Sequence, residues 1–183
     1  MTKHKSWLIF EPKKGEDLKN NDTYYERIIA ANSEIPKEIV HQWIFPHYND
    51  ANSCKNYSWI DLDSVEFNLV EKPTEFFEEL NIINDNEEMV NNYSVDKFAS
   101  WHRRFWKENG TWETSPIIIN VNSFADGKPK TAELEGNYQL VEGHNRLGTL
   151  KLLIRDGRIP VAKTHKVWVL SKKQSTEENG NSI

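Results

Sequence analysis

The sequence predicts an α/β protein of the α+β type: a compact domain with a small mixed sheet and packed helices, preceded by a mainly helical extension. Its 183 residues lie within the size range of one ordinary domain. Alternating apolar residues begin at Tyr57, a β-branched run spans 116–121, and a strand, a glycine and a helical pattern follow Tyr138. These patterns divide the chain into an extension (1–56), a domain (57–170) and a polar tail (171–183) expected to be disordered.

Two short helices are predicted in the extension. Asp22 or Thr23 caps the first helix, whose apolar residues recur at helical spacing. Pro36 suits the first turn of the second helix, and Pro46 is expected to end it. The stretch 49–56 is rich in Asn and Ser and predicts a linker.

The domain reads as strands and helices in succession. The run 116–121 predicts a central strand covered on both faces, because its apolar residues are continuous rather than alternating. The helix after Tyr138 is expected to end at Asp156 and Gly157. The predicted elements are, in order, a strand within 57–70, a helical run after Pro73, a helix from Ser94 to about Asn109, the central strand, a strand from Tyr138, a helix, and an extended run over 161–170.

Composition excludes several classes of function. The formal net charge is -5, from 23 Lys and Arg against 28 Asp and Glu, which does not favour a broad electrostatic grip on nucleic acid. Cys54 is the only cysteine, so a disulfide framework and a cysteine-rich zinc site are excluded. No apolar run has the length of a signal peptide or of a membrane helix. We therefore expect a cytoplasmic protein without a membrane partner.

Three further features of the sequence are candidate sites. None of the six histidines has the His-x-x-x-His or His-x-His spacing of a shared metal, so no protein metal site is predicted. The basic run His102-Arg103-Arg104 faces a phosphate tail, a nucleic acid or only solvent. The seven tryptophans form either stacking surfaces for a base or parts of the core.

The junction Glu142-Gly143-His144-Asn145-Arg146 has the chemistry of an anion site. The chain must leave a strand and enter a helix here, and the free N–H groups and positive dipole end of a first helical turn attract anions. Gly143 lets the backbone approach a phosphate without a Cβ in the way. Arg146 offers a planar fork that binds two phosphate oxygens, and His144 and Asn145 add donors. The pattern alone also fits a strand-glycine-helix junction made for tight packing.

The order of motifs between Trp59 and Leu170 resembles the ParB/sulfiredoxin superfamily. Members are similar in having a compact α/β domain whose strand-Gly-x-x-Arg-helix turn binds nucleotide phosphates. The resemblance assigns that role to Glu142, Gly143, His144, Asn145 and Arg146. The segments on which it depends are 60–65, 105–110, 116–119, 138–146 and 158–161.

Departures from the superfamily motifs narrow the expected activity. His144 stands where sulfiredoxins have their cysteine, so the repair of sulfinic acids is not expected. Chromosome-partitioning ParB proteins have Gly-Glu-Arg-Arg at the turn and a DNA-reading domain after it, and neither is present in this sequence. The Gly-His-x-Arg pattern of Gly143, His144 and Arg146 is closest to free serine kinases, which points to phosphoryl transfer.

The resemblance implies a nucleoside triphosphate, ATP or CTP, together with Mg²⁺, and an unknown small-molecule or protein acceptor. In such kinases a carboxylate after the first strand takes the proton of the attacking hydroxyl. That role falls first to Glu71 and second to Glu75, with His144 as a further catalytic candidate. Glu142 holds either Mg²⁺ or a substrate hydroxyl, or else only caps the helix.

Two other functions remain open on the sequence. One is a non-enzymatic module that binds a nucleotide or nucleic acid and acts through a partner protein. The other is a ParB-like nuclease, against which the acidic net charge counts.

Overall fold

The computed structural model describes residues 3–14, 16, 22–32, 34–94 and 100–174. Within them a four-stranded mixed sheet is combined with helices, which confirms the predicted fold class. The strands are β1 (Val65–Pro73), β2 (Ile117–Asn120), β3 (Tyr138–Glu142) and β4 (Thr164–Lys172). The α-helices are α1 (Asp22–Ala31), α2 (Lys37–Ile39), α3 (Phe45–His47), α4 (Ala51–Tyr57), α5 (Asn84–Asn91), α6 (Ser100–Asn109) and α7 (His144–Asp156).

The order of the strands across the sheet is β1-β4-β2-β3. β4 pairs antiparallel with β1 and parallel with β2, and β2 pairs antiparallel with β3. Ile117, Ile118 and Ile119 of β2 have no exposed surface. Because successive side chains of a strand point to opposite faces, the three isoleucines serve two different cores. The prediction of a central strand covered on both faces is confirmed.

Two hydrophobic cores enclose the sheet. The first packs the N-terminal extension against one face, where Trp7, Trp43 and Tyr57 meet Ile117 and Ile119. The second packs α5, α6 and α7 against the other face, with Leu147, Leu150 and Leu153 of α7 touching Ile118. The sheet is therefore the middle layer of three, and the extension is an integral layer of the fold. In the part of the chain that the structure describes, no helix is both long and apolar enough to cross a membrane.

Two predictions for the extension are wrong. Helical structure continues past Pro46, because a wider π-helical turn over Val40–Ile44 precedes it and Phe45 N–H bonds the carbonyl of Val40. A wider turn removes the need for the N–H that proline lacks. The predicted linker at 49–56 contains α4 instead, because the Asp50 carboxylate accepts the N–H of Ser53 (2.9 Å) and caps that helix.

Several boundaries also differ from the predictions. The first strand begins at Val65 rather than near Tyr57, because residues before it are occupied by α4 and a 3-10 turn over Leu62–Ser64. The helical run after Pro73 is a single 3-10 turn, Thr74–Phe77. α6 is described from Ser100. The predicted cap, Ser94, is separated from it by residues 95–99, which lie outside the described part of the chain, so the predicted start of this helix stays a prediction. β4 extends to Lys172, and 175–183 of the predicted tail also lie outside it.

His165 of β4 predicts a specific loss of stability in acid. Its ring is 2% exposed, lies 4.7 Å from the ring of Trp112, and has its nitrogens beside the hydroxyls of Thr74 (3.1 Å) and Thr111 (2.8 Å). Burial lowers the pKa of this imidazole from 6.5 to about 4. Between about pH 6.5 and pH 4, the His165 imidazole is therefore protonated in the unfolded chain and neutral in the folded protein. The free energy of unfolding falls as the pH is lowered through this range.

The difference between these two pKa values corresponds to about 3 kcal/mol. Urea unfolding of the wild type and of His165→Gln between pH 7 and pH 4 measures this contribution of His165 to the free energy of unfolding. We expect the free energy of unfolding to fall by about 3 kcal/mol less in the variant than in the wild type. Comparing the change with pH within each protein cancels the contribution of carboxylates. An equal fall in both proteins would contradict the assignment.

Candidate functional site

The turn between β3 and α7 is built around Gly143. Its backbone has φ 109°, in the left-handed region that favours glycine. A Cβ at this position would lie 2.8 Å from Cβ of Pro116 and 3.1 Å from Nε of Arg146, so the space is closed as well. No side chain caps the helix at this residue. The first N–H groups of α7, which have no intrahelical acceptor, therefore remain available at the turn.

Arg146 lies in the first turn of α7 and folds back over Gly143. Its Nη2 donates to Oε1 of Gln42 (2.7 Å) and lies 3.6 Å from Oε1 of Glu142. Its Nε is buried and has no hydrogen-bond partner. Burial lowers the pKa of this guanidinium, whereas the nearby carboxylates of Glu142 and Glu38 raise it. An arginine stays charged at any ordinary pH, so the turn holds a partly desolvated cation with donor capacity to spare.

The first of two cavities at the turn has a volume of about 240 Å³ and is named here the arginine cavity. Asn145 and Arg146 border it from α7, and His102 borders it from α6. Burial lowers the pKa of His102; Glu113 raises it and Arg146 lowers it further. The cavity is lined by Tyr93, His102, Trp106, Trp112, Glu113, Thr114, Glu142, Gly143, Asn145, Arg146 and Thr149.

The structure locates the run His102-Arg103-Arg104 and two of the seven tryptophans, whose roles the sequence leaves open. His102 borders the arginine cavity, whereas Arg103 borders a different cavity near the end of α7, and Arg104 is exposed. Trp106 and Trp112 are 2% and 5% exposed and pack edge to face. They form an apolar wall of the core rather than an open stacking face for a base.

The second cavity lies on the other side of the turn, has a volume of about 230 Å³, and is named here the histidine cavity. His144 borders this cavity and not the arginine cavity. Its Nε2 lies 3.3 Å from Nδ2 of Asn86 on α5. Burial, with smaller effects of His47 and Arg146, lowers the pKa of His144 to about 4. The imidazole is therefore neutral near pH 7.

Glu142 is the side chain that the two cavities share. Its Oε1 faces Arg146 at 3.6 Å, and its Oε2 faces Nε2 of His47 at 3.7 Å. One carboxylate thus lies between a phosphate-compatible cation and a second polar cavity.

The structure does not bring the two predicted base candidates to the turn. Glu71 lies on β1, paired with Lys166 of β4, and Glu75 lies in the 3-10 turn that follows β1; both are exposed. β1 and β3 are opposite edges of the sheet. Three strand spacings, roughly 14 Å, separate them. Of the predicted glutamates, only Glu142 borders the cavities at the turn.

Sequence reasoning missed the contribution of the N-terminal extension. Gln42, in the π-helical turn, accepts from Arg146 and donates to the carbonyl of Ser115 (2.9 Å). Glu38 accepts the N–H of Ser115 (3.0 Å), and His47 faces Glu142. The sequence offers no signal for these roles, since each contact spans more than 70 residues.

The arginine cavity has a carboxylate that would fit a magnesium ion. Among the described residues, no group of three or more His, Cys, Asp or Glu side chains is arranged to hold a metal. Mg²⁺, however, is commonly held by one or two carboxylates together with substrate phosphates. Glu113 borders the arginine cavity and supplies a carboxylate of that kind.

The comparisons with known proteins add no assignment. No family model matches the chain, and neither the curated proteins nor the solved structures gave a match.

Proposed function

We propose that the protein binds the phosphates of a nucleoside triphosphate in the arginine cavity and catalyses nucleotide hydrolysis or phosphoryl transfer. The observation that carries this proposal is the buried, unpartnered Nε of Arg146 beside the free N–H groups of α7. A desolvated guanidinium is unfavourable unless it is paired and fully hydrogen-bonded. An anion at the turn would complete its hydrogen bonds and also meet the positive end of the helix dipole.

The size of the arginine cavity limits what it holds. Its volume of about 240 Å³ is below the roughly 300–1,000 Å³ typical of sites for whole small-molecule ligands. A polyphosphate group with its Mg²⁺ fits the polar lining, and the base and ribose would then extend beyond the cavity. The buried indoles of Trp106 and Trp112 agree with this arrangement, because neither offers a free face.

Chemistry at the turn follows from the position of Glu142. Phosphoryl transfer relies on charge stabilisation of the transferred group and on a carboxylate that orients or deprotonates the attacking oxygen. Arg146 and the N–H groups of α7 supply the first requirement. Glu142 supplies the second. With the resemblance of the Gly-His-x-Arg turn to kinases, this favours an enzyme over a binding module.

Titration calorimetry of the wild type with ATP, CTP, GTP and ADP in the presence of Mg²⁺ tests the proposal. Arg146→Ala removes charged hydrogen bonds worth about 1.5–3 kcal/mol, so we expect its dissociation constant for the preferred triphosphate to rise about 10- to 100-fold. Arg146→Lys keeps the charge without the planar fork, so its dissociation constant is expected to lie between those of the wild type and Arg146→Ala.

The matched control is Arg158→Ala. Arg158 is exposed, pairs with Asp156 (2.7 Å), and borders a cavity beyond the opposite end of α7. Its removal is expected to leave the affinity unchanged. Thermal unfolding of each variant shows whether the fold is retained. Absence of nucleotide binding by the wild type would overturn the proposal, and binding without turnover would favour the non-enzymatic module instead.

A further inference from the structure

We propose that the histidine cavity binds the phosphoryl acceptor, and that this acceptor is a small alcohol without an acidic group, such as an amino alcohol. The inference rests on the proposed function, because it assigns the second substrate of the same reaction. The histidine cavity and the arginine cavity have Glu142 as their common lining residue. Direct transfer requires the acceptor hydroxyl and the γ-phosphate to meet within about 3.5 Å, and we place that meeting point at the Glu142 carboxylate.

The lining of the histidine cavity selects against an anion. It includes the carboxylates of Asp50 and Glu142, and no lysine or arginine is among its described lining residues. The imidazole of His144 is neutral near pH 7, because burial lowers its pKa to about 4. A carboxylate or phosphate group on the acceptor would lie near the like charges of Asp50 and Glu142, with only the imidazoles of His47 and His144 beside them, which is unfavourable. An ammonium group would instead be attracted.

Tyr57 provides independent support for a ligand in this cavity. The residue is 2% exposed and borders the cavity. The Gln139 side chain interacts with the hydroxyl oxygen, whereas the O–H of Tyr57 has no acceptor among the described residues. A buried hydroxyl without a partner loses about 1–3 kcal/mol. A hydroxyl or amine of an acceptor would supply the missing bond. Asn86 and Ser53 add further polar groups to the lining.

The size of the cavity also suits a small acceptor. Its volume of about 230 Å³ corresponds to the space of about eight water molecules in the liquid. A compound of a few carbon atoms therefore fits together with some water, which agrees with a small-molecule acceptor.

The transfer step balances with the groups present. The acceptor's hydroxyl oxygen forms a bond to the γ-phosphorus, and the bond from that phosphorus to the β,γ-bridging oxygen breaks. The electron pair of the broken bond leaves with the nucleoside diphosphate. The hydroxyl proton passes to the Glu142 carboxylate and then to water. Oε2 of this carboxylate faces His47, which also lines the histidine cavity.

Two pairs of probes that differ only by a carboxylate test the acceptor class. Ethanolamine is compared with L-serine, and ethylene glycol with D-glycerate, each with the preferred triphosphate and Mg²⁺. Phosphorylated product is measured by mass spectrometry and nucleoside diphosphate by a coupled assay. We expect kcat/KM for ethanolamine to exceed that for L-serine at least tenfold, with the same direction for the second pair.

Tyr57→Phe removes the cavity hydroxyl without changing the shape of the ring. We expect it to raise KM for ethanolamine about five- to tenfold, the loss of one hydrogen bond, while the dissociation constant of the triphosphate stays unchanged. Tyr138→Phe is the control, because Tyr138 is half-buried and borders neither cavity. It is expected to change neither constant.

The outcomes separate this inference from the proposed function. Preferred phosphorylation of L-serine or D-glycerate would overturn the acceptor class and support phosphoryl transfer. Nucleotide hydrolysis without transfer to any of the four probes would overturn the acceptor site and leave nucleotide turnover standing. An unchanged KM in Tyr57→Phe would also overturn the site. No nucleotide binding by the wild type would overturn both.

Discussion

Replacing Glu142 by glutamine is expected to lower the turnover of nucleotide by about 100-fold or more, the usual contribution of a positioned base. Glutamine preserves the size and polarity of the side chain but accepts no proton. The substitution also removes a carboxylate that lies 3.6 Å from Arg146. A bound phosphate therefore loses a repulsive neighbour, and the dissociation constant of the triphosphate is expected to stay equal or to fall.

Glu71→Gln is the informative comparison, since the resemblance to kinases assigns the base to Glu71 and the structure places Glu142 at the turn. Steady-state turnover and calorimetric affinity are measured for both variants. Loss of turnover with retained affinity in Glu142→Gln supports the geometric assignment. If Glu71→Gln loses turnover and Glu142→Gln does not, the assignment of Glu142 from its position at the turn is wrong, and the assignment of Glu71 from the resemblance is right.

Gly143→Ala is expected to reduce the free energy of unfolding by about 4 kcal/mol. A positive φ contributes about 2 kcal/mol in a residue with a Cβ. Contact of that Cβ with Pro116 at 2.8 Å and with Nε of Arg146 at 3.1 Å adds about 2 kcal/mol of overpacking. Because the clash displaces Arg146 as well, nucleotide affinity is expected to fall together with stability.

Gly127→Ala separates the two causes. Gly127 has nearly the same φ, 103°, but a Cβ there would meet nothing within 4 Å. Its substitution is expected to cost only the conformational part, about 2 kcal/mol, and to leave nucleotide binding intact. Urea unfolding at neutral pH measures both variants. Equal destabilisation of the two would show that the contact with Pro116 adds nothing.

The predictable parts of the fold depend on neighbours in the sequence. The β-branched run at Ile117–Ile119 predicts a buried central strand, and its continuous apolar character is what a strand covered on both faces requires. Gly157 ends α7 in the left-handed conformation, as the Asp156-Gly157 pair predicts. The sequence predicts that the helix ends at Pro46, but a wider helical turn before it lets the helical structure continue. The Asn- and Ser-rich composition of 49–56 predicts a linker, but the Asp50 cap begins a helix there.

The candidate site also has a part that is predictable from the sequence and a part that depends on tertiary packing. Gly143 and Arg146 are close in sequence, and the helix geometry alone brings them together, so their pairing was predictable. His144 and Arg146 are two residues apart, about 200° around a helix, so helix geometry also predicts that they face different sides. The structure decides which groups each side chain meets: Asn86 of α5 lies beside His144, and His102 of α6 borders the cavity of Arg146.

The sequence by itself determined the α/β class, the central strand and the strand-glycine-helix turn, because short-range periodicity and backbone preferences set these features. Only the tertiary structure decided which groups surround the turn. Gln42 and His47 reach it from a helical layer about 100 residues earlier, and Glu71 is held away from it by the order of the strands. Such contacts follow from the packing of three layers, and no local pattern encodes them.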